Sequence, residues 1–193
     1  MNVANILTFI RVILTPVFIA AFIMGQHVWA ILLFSVAGFT DLIDGTIARL
    51  LKQHSVKGAL LDPMADKFLM QSCFVCLFAV GIIPWWFLLL ALGRDLMIVT
   101  GIFYLEHQRA PLPYRAIITS KIATVFQLGV AVAGLVIRWQ PTLEVNRFSL
   151  HDFFYGLLFA TTILLIVSGT QYVLIGLRVL KQHRLKGEVT PSS

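Results

Sequence analysis

Four aspartates that lie close together in the sequence are the strongest indication of chemistry in this chain. Asp41 and Asp44 stand three residues apart, and Asp62 and Asp66 stand four residues apart. On a helix, each of these spacings places both carboxylates on one face. The chain has only nine acidic residues, so four of them within 26 residues form a distinct cluster. The spacing predicts two carboxylate pairs that can meet across a helical hairpin.

Four neighbouring carboxylates at the edge of a membrane cannot all stay ionised without cations, because burial and like charge both disfavour the ionised form. Oxygen ligands favour hard ions such as Mg²⁺, Mn²⁺ or Ca²⁺ over Zn²⁺. One or two such ions can hold a substrate diphosphate. Acids inside a membrane can instead form a proton relay, an ion pathway or structural pairs with Lys and Arg, and these are the alternatives.

Small residues and one arginine accompany the aspartates. Gly45 and Gly58 carry no side chain, which lets a bulky ligand approach the backbone. Ala48 follows Asp44 by about one helical turn and keeps the same face open. Arg49 offers a planar fork of donors for phosphate oxygens. This combination favours a binding site for a phosphate-bearing ligand.

The composition indicates which elements must position these residues. The 193 residues are 59% hydrophobic and 12% charged, whereas about 25% of the residues in a soluble domain are charged. This excludes a soluble globular enzyme and predicts an all-α integral membrane protein, a bundle of six transmembrane helices. We predict one membrane domain over residues 1–185 and a disordered polar tail over residues 186–193. The predicted spans cover residues 6–24, 28–51, 59–83, 85–105, 116–139 and 153–180.

The basic residues predict the orientation of the bundle. Eleven of the fifteen Lys and Arg flank the second and fourth connections or lie near the carboxyl terminus, and the first and third connections carry none. Because short cytoplasmic loops are enriched in Lys and Arg, both termini and the aspartate cluster should be cytoplasmic. The net charge of +6 is then mainly a topology signal with some attraction to anionic lipids, and nucleic acid is not expected as a partner.

The full pattern D-x-x-D-G-x-x-A-R-x₈-G-x-x-x-D-x-x-x-D, from Asp41 to Asp66, resembles the signature of the CDP-alcohol phosphotransferases. The resemblance implies a membrane enzyme, usually homodimeric, that transfers a phosphatidyl group from CDP-diacylglycerol to an alcohol and releases CMP. It also implies two divalent ions, Mg²⁺ or Mn²⁺, and a location in the bacterial cytoplasmic membrane with the active site facing the cytoplasm. By this resemblance the first ion is bound by Asp41, Asp44 and Asp62, the second is shared by Asp66, and the cytidine diphosphate is held by Gly45, Ala48, Arg49 and Gly58.

Asp66 is the candidate general base. An alcohol hydroxyl has a pKa far above 7, so a neighbouring carboxylate must take its proton as the oxygen attacks phosphorus. Asp66 is the last carboxylate of the array and stands one helical turn beyond Asp62. We therefore expect Asp66 to serve both as metal ligand and as base.

Segments outside the motif bear on the acceptor alcohol. Asn5, Thr8 and Arg11 form an N-x-x-T-x-x-R opening similar to that of phosphatidylglycerophosphate synthases and cardiolipin synthases of the CDP-alcohol type, and we expect Asn5 and Thr8 to contact the nucleotide. Residues 94–98 and 120–127 are more similar to the cardiolipin synthase pattern. Phosphatidylglycerol is therefore the favoured acceptor and glycerol 3-phosphate the second. The alternatives are another alcohol, such as inositol phosphate or serine, and a divalent-cation transporter.

Three basic residues could bind the phosphate of the acceptor. Arg94, Arg115 and Lys121 are expected near the cytoplasmic ends of the fourth and fifth helices. The alternatives are that Arg115 and Lys121 only set the topology, and that Arg94 pairs with its neighbour Asp95. A charge pair within a span is costly and usually functional, so Arg94 is the most informative of the three.

Overall fold

The computed structural model describes residues 3–38, 58–108, 118–142, 144–145 and 148–189. Side-chain surroundings are described from residue 12 to 38, from 67 to 108 except Glu106, from 118 to 142 and from 150 to 182. These described residues contain six helices and one very short β-hairpin, so the predicted all-α class is confirmed. The helices are α1 (Val3–Ile23), α2 (described over His27–Gly38), α3 (Gly58–Ala79), α4 (Trp85–His107), α5 (Ile118–Trp139) and α6 (Leu150–Val189).

Three of the helices are long and apolar enough to cross a membrane. Their apolar parts are Trp85–Leu105, Ile118–Trp139 and Leu150–Gln182, and shorter apolar helical stretches occupy Val12–Ile23, His27–Gly38 and Lys67–Ala79. These lengths indicate an integral membrane protein. The six-span count and the cytoplasmic termini stay predictions, because only three spans reach full length within the described residues.

Two glycines end α1 and α3 in the same way. Gly25 and Gly81 have φ angles of 73° and 77°, a left-handed conformation that glycine adopts without a steric cost. After α1, the amide of Gln26 donates to the carbonyl of Ala21 at 2.9 Å; after α3, the amide of Ile82 donates in the same i to i−5 pattern at 3.0 Å. This is the Schellman arrangement, which stops a helix and satisfies its last carbonyls. It joins α1 to α2 and α3 to α4 through short turns.

The predicted boundaries differ from the observed ones at three places. The third span was expected to reach residue 83, but α3 ends at Ala79 because Gly81 breaks the helix. Two residues of β1 (Glu144–Val145) pair antiparallel with two of β2 (Phe148–Ser149), a hairpin that the sequence did not predict. Helix α6 continues to Val189, past the predicted domain boundary at residue 185. The division into a membrane domain and a tail stays a prediction, and residues 190–193 lie outside the described part.

The helices pack through buried aromatic and small residues. The Phe18 ring on α1 lies 5.7 Å from that of Phe34 on α2, and the Phe74 ring on α3 meets Phe87 on α4 edge to face at 5.4 Å. Such pairs add stabilisation beyond the area that they bury. Many large apolar side chains are instead exposed on the outside of the helices, Phe68, Phe159 and Trp29 among them. An apolar outer surface is what lipid contact requires.

Gly134 permits a close approach of α5 to its neighbours. A Cβ at this position would lie 2.8 Å from Cδ1 of Leu77 on α3 and 3.5 Å from Cε2 of Phe154 on α6. Leu77 and Phe154 are themselves buried and cannot move away freely. A side chain at position 134 would therefore push three helices apart.

We expect Gly134→Val to lower the free energy of unfolding by about 1–3 kcal/mol through overpacking. Gly156→Val is the matched control, because a Cβ there meets nothing within 4 Å. Thermal unfolding in detergent can be followed with a thiol-reactive dye, since Cys73 is free and buried in the folded chain. Equal unfolding temperatures for the two variants would contradict the packing described here.

Candidate active site and its supporting network

Part of the aspartate motif lies at the start of α3. Gly58 is the first residue of this helix, and Asp62 and Asp66 follow at intervals of four residues. Their backbone positions place both aspartates on the same face of α3, one turn apart. The side chains of these residues, and all of Asp41, Asp44, Gly45, Ala48 and Arg49, lie outside the described part of the chain. The roles predicted for them stay predictions.

The donor set of the motif suits a hard divalent cation. All four predicted ligands are carboxylates, and two of them, Asp62 and Asp66, lie one turn apart in α3. Among the side chains that the structure describes, no group of three or more His, Cys, Asp or Glu could hold a metal ion. The metal prediction therefore depends on the chemistry of the motif carboxylates.

A buried polar network begins at Arg94, in the middle of α4. Its side chain is 5% exposed. Nη1 donates to Oδ1 of Asp95 at 2.7 Å and Nε donates to Oγ of Ser168 on α6 at 3.1 Å. Nη2 donates to Oγ of Ser120 on α5. The pairing of Arg94 with Asp95, which is the alternative to an acceptor-binding role for Arg94, is observed, and one guanidinium joins α4 to both α5 and α6.

Asp95 carries the network across to α3. Its Oδ1 forms an ion pair with Lys67, whose Nζ lies 3.3 Å away, and also accepts the hydrogen bond from Arg94. Its Oδ2 accepts a hydrogen bond of 2.9 Å from Nε2 of Gln71. Lys67 and Gln71 stand one turn apart on α3, so both oxygens of Asp95 bind the same helix. The Arg94–Asp95 pair thus connects four helices.

The described side chains of the network have an uneven charge balance. Lys67 and Arg94 supply two positive charges, and Asp95 supplies one negative charge. Like charges in a region of low dielectric repel strongly, and an anion nearby relieves that repulsion. Lys67 directly follows Asp66 in the chain. The motif residues Asp62 and Asp66 precede Lys67 on the same helix, so this positive excess belongs to the described side chains alone.

A groove between α4 and α6 has a different character. Its volume is about 560 Å³, and Gly93 and Gly169 leave it open. The hydroxyl of Thr170, which lines it, already donates to carbonyls of its own helix. Arg94 contributes to the lining while its guanidinium nitrogens bind Asp95, Ser120 and Ser168. The polar contacts of Arg94 are therefore made to the network residues and not to the groove.

The other predicted acceptor and nucleotide residues fall at separate places. Lys121 is exposed in the first turn of α5, next to Ser120, and Arg115 lies outside the described residues. Asn5 and Thr8 lie in the first turns of α1, and their side chains are not described. Their contacts with a ligand stay predictions.

Gln71, Ser120 and Ser168 are network residues that sequence reasoning did not assign to a site. Each is a polar residue within a mainly apolar helix, and that is the signal that could have identified them. Gln71 can accept a further hydrogen bond, since its buried Oε1 has no hydrogen-bond partner among the described residues. Buried polar groups are normally paired, so this oxygen has room for a water or ligand donor.

We expect Ser168→Ala to lower the free energy of unfolding by about 1.5–3 kcal/mol, because it leaves the buried Nε of Arg94 without its acceptor. Thr170→Ala is the control two residues away, and its effect should stay within about 0.5 kcal/mol since it lies on the surface. Thermal unfolding in detergent measures both. A Ser168→Ala chain as stable as Thr170→Ala would show that the hydrogen bond to Arg94 contributes little.

Comparison with known proteins places the chain in a family. A family model described as CDP-alcohol phosphatidyltransferase matches residues 1–168. A Mycobacterium tuberculosis protein named as a phosphatidylglycerophosphate synthase is 34% identical over 185 residues, which cover 92% of this chain and 82% of that protein. The human cardiolipin synthase (CMP-forming) is 36% identical over 113 residues, which cover 58% of this chain and 38% of that protein.

A third relative joins two activities in its name. It is the cardiolipin synthase (CMP-forming) / mitochondrial hydrolase fusion protein of Schizosaccharomyces pombe, 38% identical over 109 residues, or 56% of this chain and 18% of that protein. This chain thus spans less than half of the cardiolipin synthases that it matches. The family model covers most of the chain, including the whole aspartate motif. The chain belongs to the CDP-alcohol phosphatidyltransferase family.

Proposed function

We propose that this protein transfers the phosphatidyl group of CDP-diacylglycerol to a glycerol-type alcohol and releases CMP. The observation that carries the proposal is the complete aspartate motif inside the segment that the family model matches. In the reaction, the acceptor oxygen attacks the phosphorus on the lipid side of the diphosphate. The bond from that phosphorus to the oxygen of CMP breaks, and CMP leaves with the bonding electrons.

The four motif carboxylates have separate tasks in this proposal. Asp41, Asp44, Asp62 and Asp66 would hold two divalent ions, Mg²⁺ or Mn²⁺, as their all-oxygen donor set favours. The chemistry that such ions supply is neutralisation of the charge on the diphosphate and on the departing CMP. Asp66 takes the proton of the acceptor hydroxyl, and its position one turn after Asp62 on α3 supports this role. Gly45, Ala48, Arg49 and Gly58 hold the cytidine diphosphate.

The favoured acceptor is phosphatidylglycerol, which would make the product cardiolipin. The similarity to cardiolipin synthases at 36–38% identity supports it, as do residues 94–98 and 120–127. Glycerol 3-phosphate is the second candidate, because the relative named as a phosphatidylglycerophosphate synthase matches 92% of this chain. Inositol phosphate, serine and cation transport remain the alternatives from sequence, with no described feature in their favour.

Cationic groups for the acceptor phosphate come from α4, from α5 and from the connection between them. Lys121 is exposed in the first turn of α5 and is free to turn towards a ligand. Arg115 precedes the same helix. Arg94 uses three of its donors inside the network, so at most its remaining N–H groups could reach an acceptor. Lys121 is thus the better supported of the two described residues.

We further propose that the protein works in the bacterial cytoplasmic membrane with its active site facing the cytoplasm. The short turns after α1 and α3 carry no Lys or Arg, whereas basic residues surround the start of α3 and the connection from α4 to α5. That distribution favours the cytoplasmic side for the start of α3. A homodimer is proposed from the family resemblance alone.

The purified protein should release CMP from CDP-diacylglycerol when Mg²⁺ or Mn²⁺ and the correct acceptor are present. Phosphatidylglycerol, glycerol 3-phosphate, inositol phosphate and serine are each supplied in turn, and CMP and the lipid product are followed together. We expect cardiolipin from phosphatidylglycerol. Phosphatidylglycerophosphate as the sole product would replace that acceptor with glycerol 3-phosphate, and no CMP with any acceptor would refute the transferase.

Asp66→Asn should abolish turnover and leave binding of CDP-diacylglycerol largely intact, because it removes the base and keeps the shape of the side chain. Turnover and binding of the CDP-lipid are measured on the same preparation. Asp152→Asn in the first turn of α6 removes a carboxylate outside the motif and should keep normal turnover. Normal turnover of Asp66→Asn would remove this residue from the base role.

A further inference from the structure

We propose that Asp95 and Gln71 are positioning residues that fix the rotation of α3, and with it the positions of Asp62 and Asp66 around the helix axis. The inference rests on the proposed function, since it concerns the placement of that site's carboxylates. Neither residue belongs to the aspartate motif. They act through the helix that carries half of it.

The geometry is a two-point attachment. Oδ1 of Asp95 forms an ion pair with Nζ of Lys67 at 3.3 Å, and Oδ2 accepts a hydrogen bond from Nε2 of Gln71 at 2.9 Å. The two α3 residues are about 6 Å apart along the helix axis, at four residues and 1.5 Å each. Two bonds at that separation on one face prevent α3 from turning about its axis. Asp66 immediately precedes Lys67, about 100° away around the helix, so its position around the axis is set by the same attachment.

The attachment has a rigid base. Asp95 is 8% exposed, and its Oδ1 also accepts Nη1 of Arg94 at 2.7 Å. Arg94 is anchored in turn to Ser120 on α5 and Ser168 on α6. A carboxylate held this way has little freedom of its own. The rotation of α3 is therefore fixed relative to α4, α5 and α6 together.

Stability alone does not account for a charged attachment at this place. Beside and after the network residues, α3 also packs through buried apolar side chains such as Leu69, Phe74 and Leu77. Apolar side chains of similar size often stabilise a fold as well as a buried ion pair does, whereas polar groups specify one geometry. The charged contacts begin one residue after Asp66 and end five residues after it. They hold the turn of α3 that directly follows Asp66.

Gln71→Met tests the proposal without changing any charge. It removes the donor to Oδ2 of Asp95 and keeps a side chain of similar length. Ser72→Ala is the matched control on the adjacent residue, because among the described residues the Ser72 hydroxyl donates to the carbonyl of Phe68 in its own helix. Binding of Mn²⁺ to each full-length protein in detergent is measured from the electron paramagnetic resonance signal of free Mn²⁺. The kcat and the KM for CDP-diacylglycerol are measured alongside.

We expect Gln71→Met to bind Mn²⁺ about tenfold more weakly and to lower kcat about tenfold or more, with the KM for CDP-diacylglycerol changed less than threefold. Misplacement of catalytic groups by about 1 Å can cost on the order of a hundredfold in rate, so this is a modest displacement. Ser72→Ala should match the wild type. Asp95→Glu should retain more Mn²⁺ binding than Asp95→Asn, since it keeps the charge that holds Lys67 and Arg94.

Each other outcome is decisive. Gln71→Met that binds Mn²⁺ and turns over like Ser72→Ala would overturn the positioning role, even if the wild type releases CMP. A lower unfolding temperature with unchanged Mn²⁺ binding per folded protein would also overturn it, since the role would then be structural only. Weakened Mn²⁺ binding in Gln71→Met, in a protein that releases no CMP, would support the positioning role and refute the transferase.

Discussion

The ion pair of Arg94 and Asp95 is the constraint on which the arrangement of the helices depends. Both side chains are almost completely buried in a helix that is long and apolar enough to cross a membrane. Charges in such a place are stable only when every strong donor and acceptor is satisfied. The neighbouring helices therefore have to bring Lys67, Gln71, Ser120 and Ser168 to the pair, and this requirement fixes how α3, α5 and α6 pack around α4.

Small residues and sharp turns let the helices come close enough to make these polar contacts. Gly134 lets α5 come close to Leu77 and Phe154, and Gly38 near the end of the described part of α2 lies against Leu128 on α5. The Schellman turns at Gly25 and Gly81 end α1 and α3 sharply. The helices are thus brought together by small residues and held in one orientation by polar contacts. The aspartate motif starts three residues after Gly38 and ends one residue before Lys67, so both of its ends adjoin described contacts.

Much of the helical pattern could be predicted from the sequence, because apolar runs of this length are a strong signal. The pairing of Arg94 with Asp95 could be predicted as well, since adjacent opposite charges inside an apolar helix have few other partners. The contacts of Gln71, Ser120 and Ser168 could not, because they join residues 24, 26 and 74 positions away in the chain. Such contacts depend on the rotation of each helix, which apolar periodicity specifies only weakly in a helix with lipid on one side. The hairpin at residues 144–149 was missed because two-residue strands leave no periodic pattern.

In the proposed reaction, the acceptor attacks the lipid-side phosphorus of CDP-diacylglycerol. The most direct test supplies CDP-diacylglycerol that is radioactive only at that phosphorus, together with Mn²⁺ and the preferred acceptor. Phosphatidyl transfer predicts that all of the label enters the new phospholipid and that the released CMP carries none. Labelled phosphatidic acid, formed alongside a cytidylated acceptor, would mean attack at the nucleotide-side phosphorus and would contradict the proposed reaction.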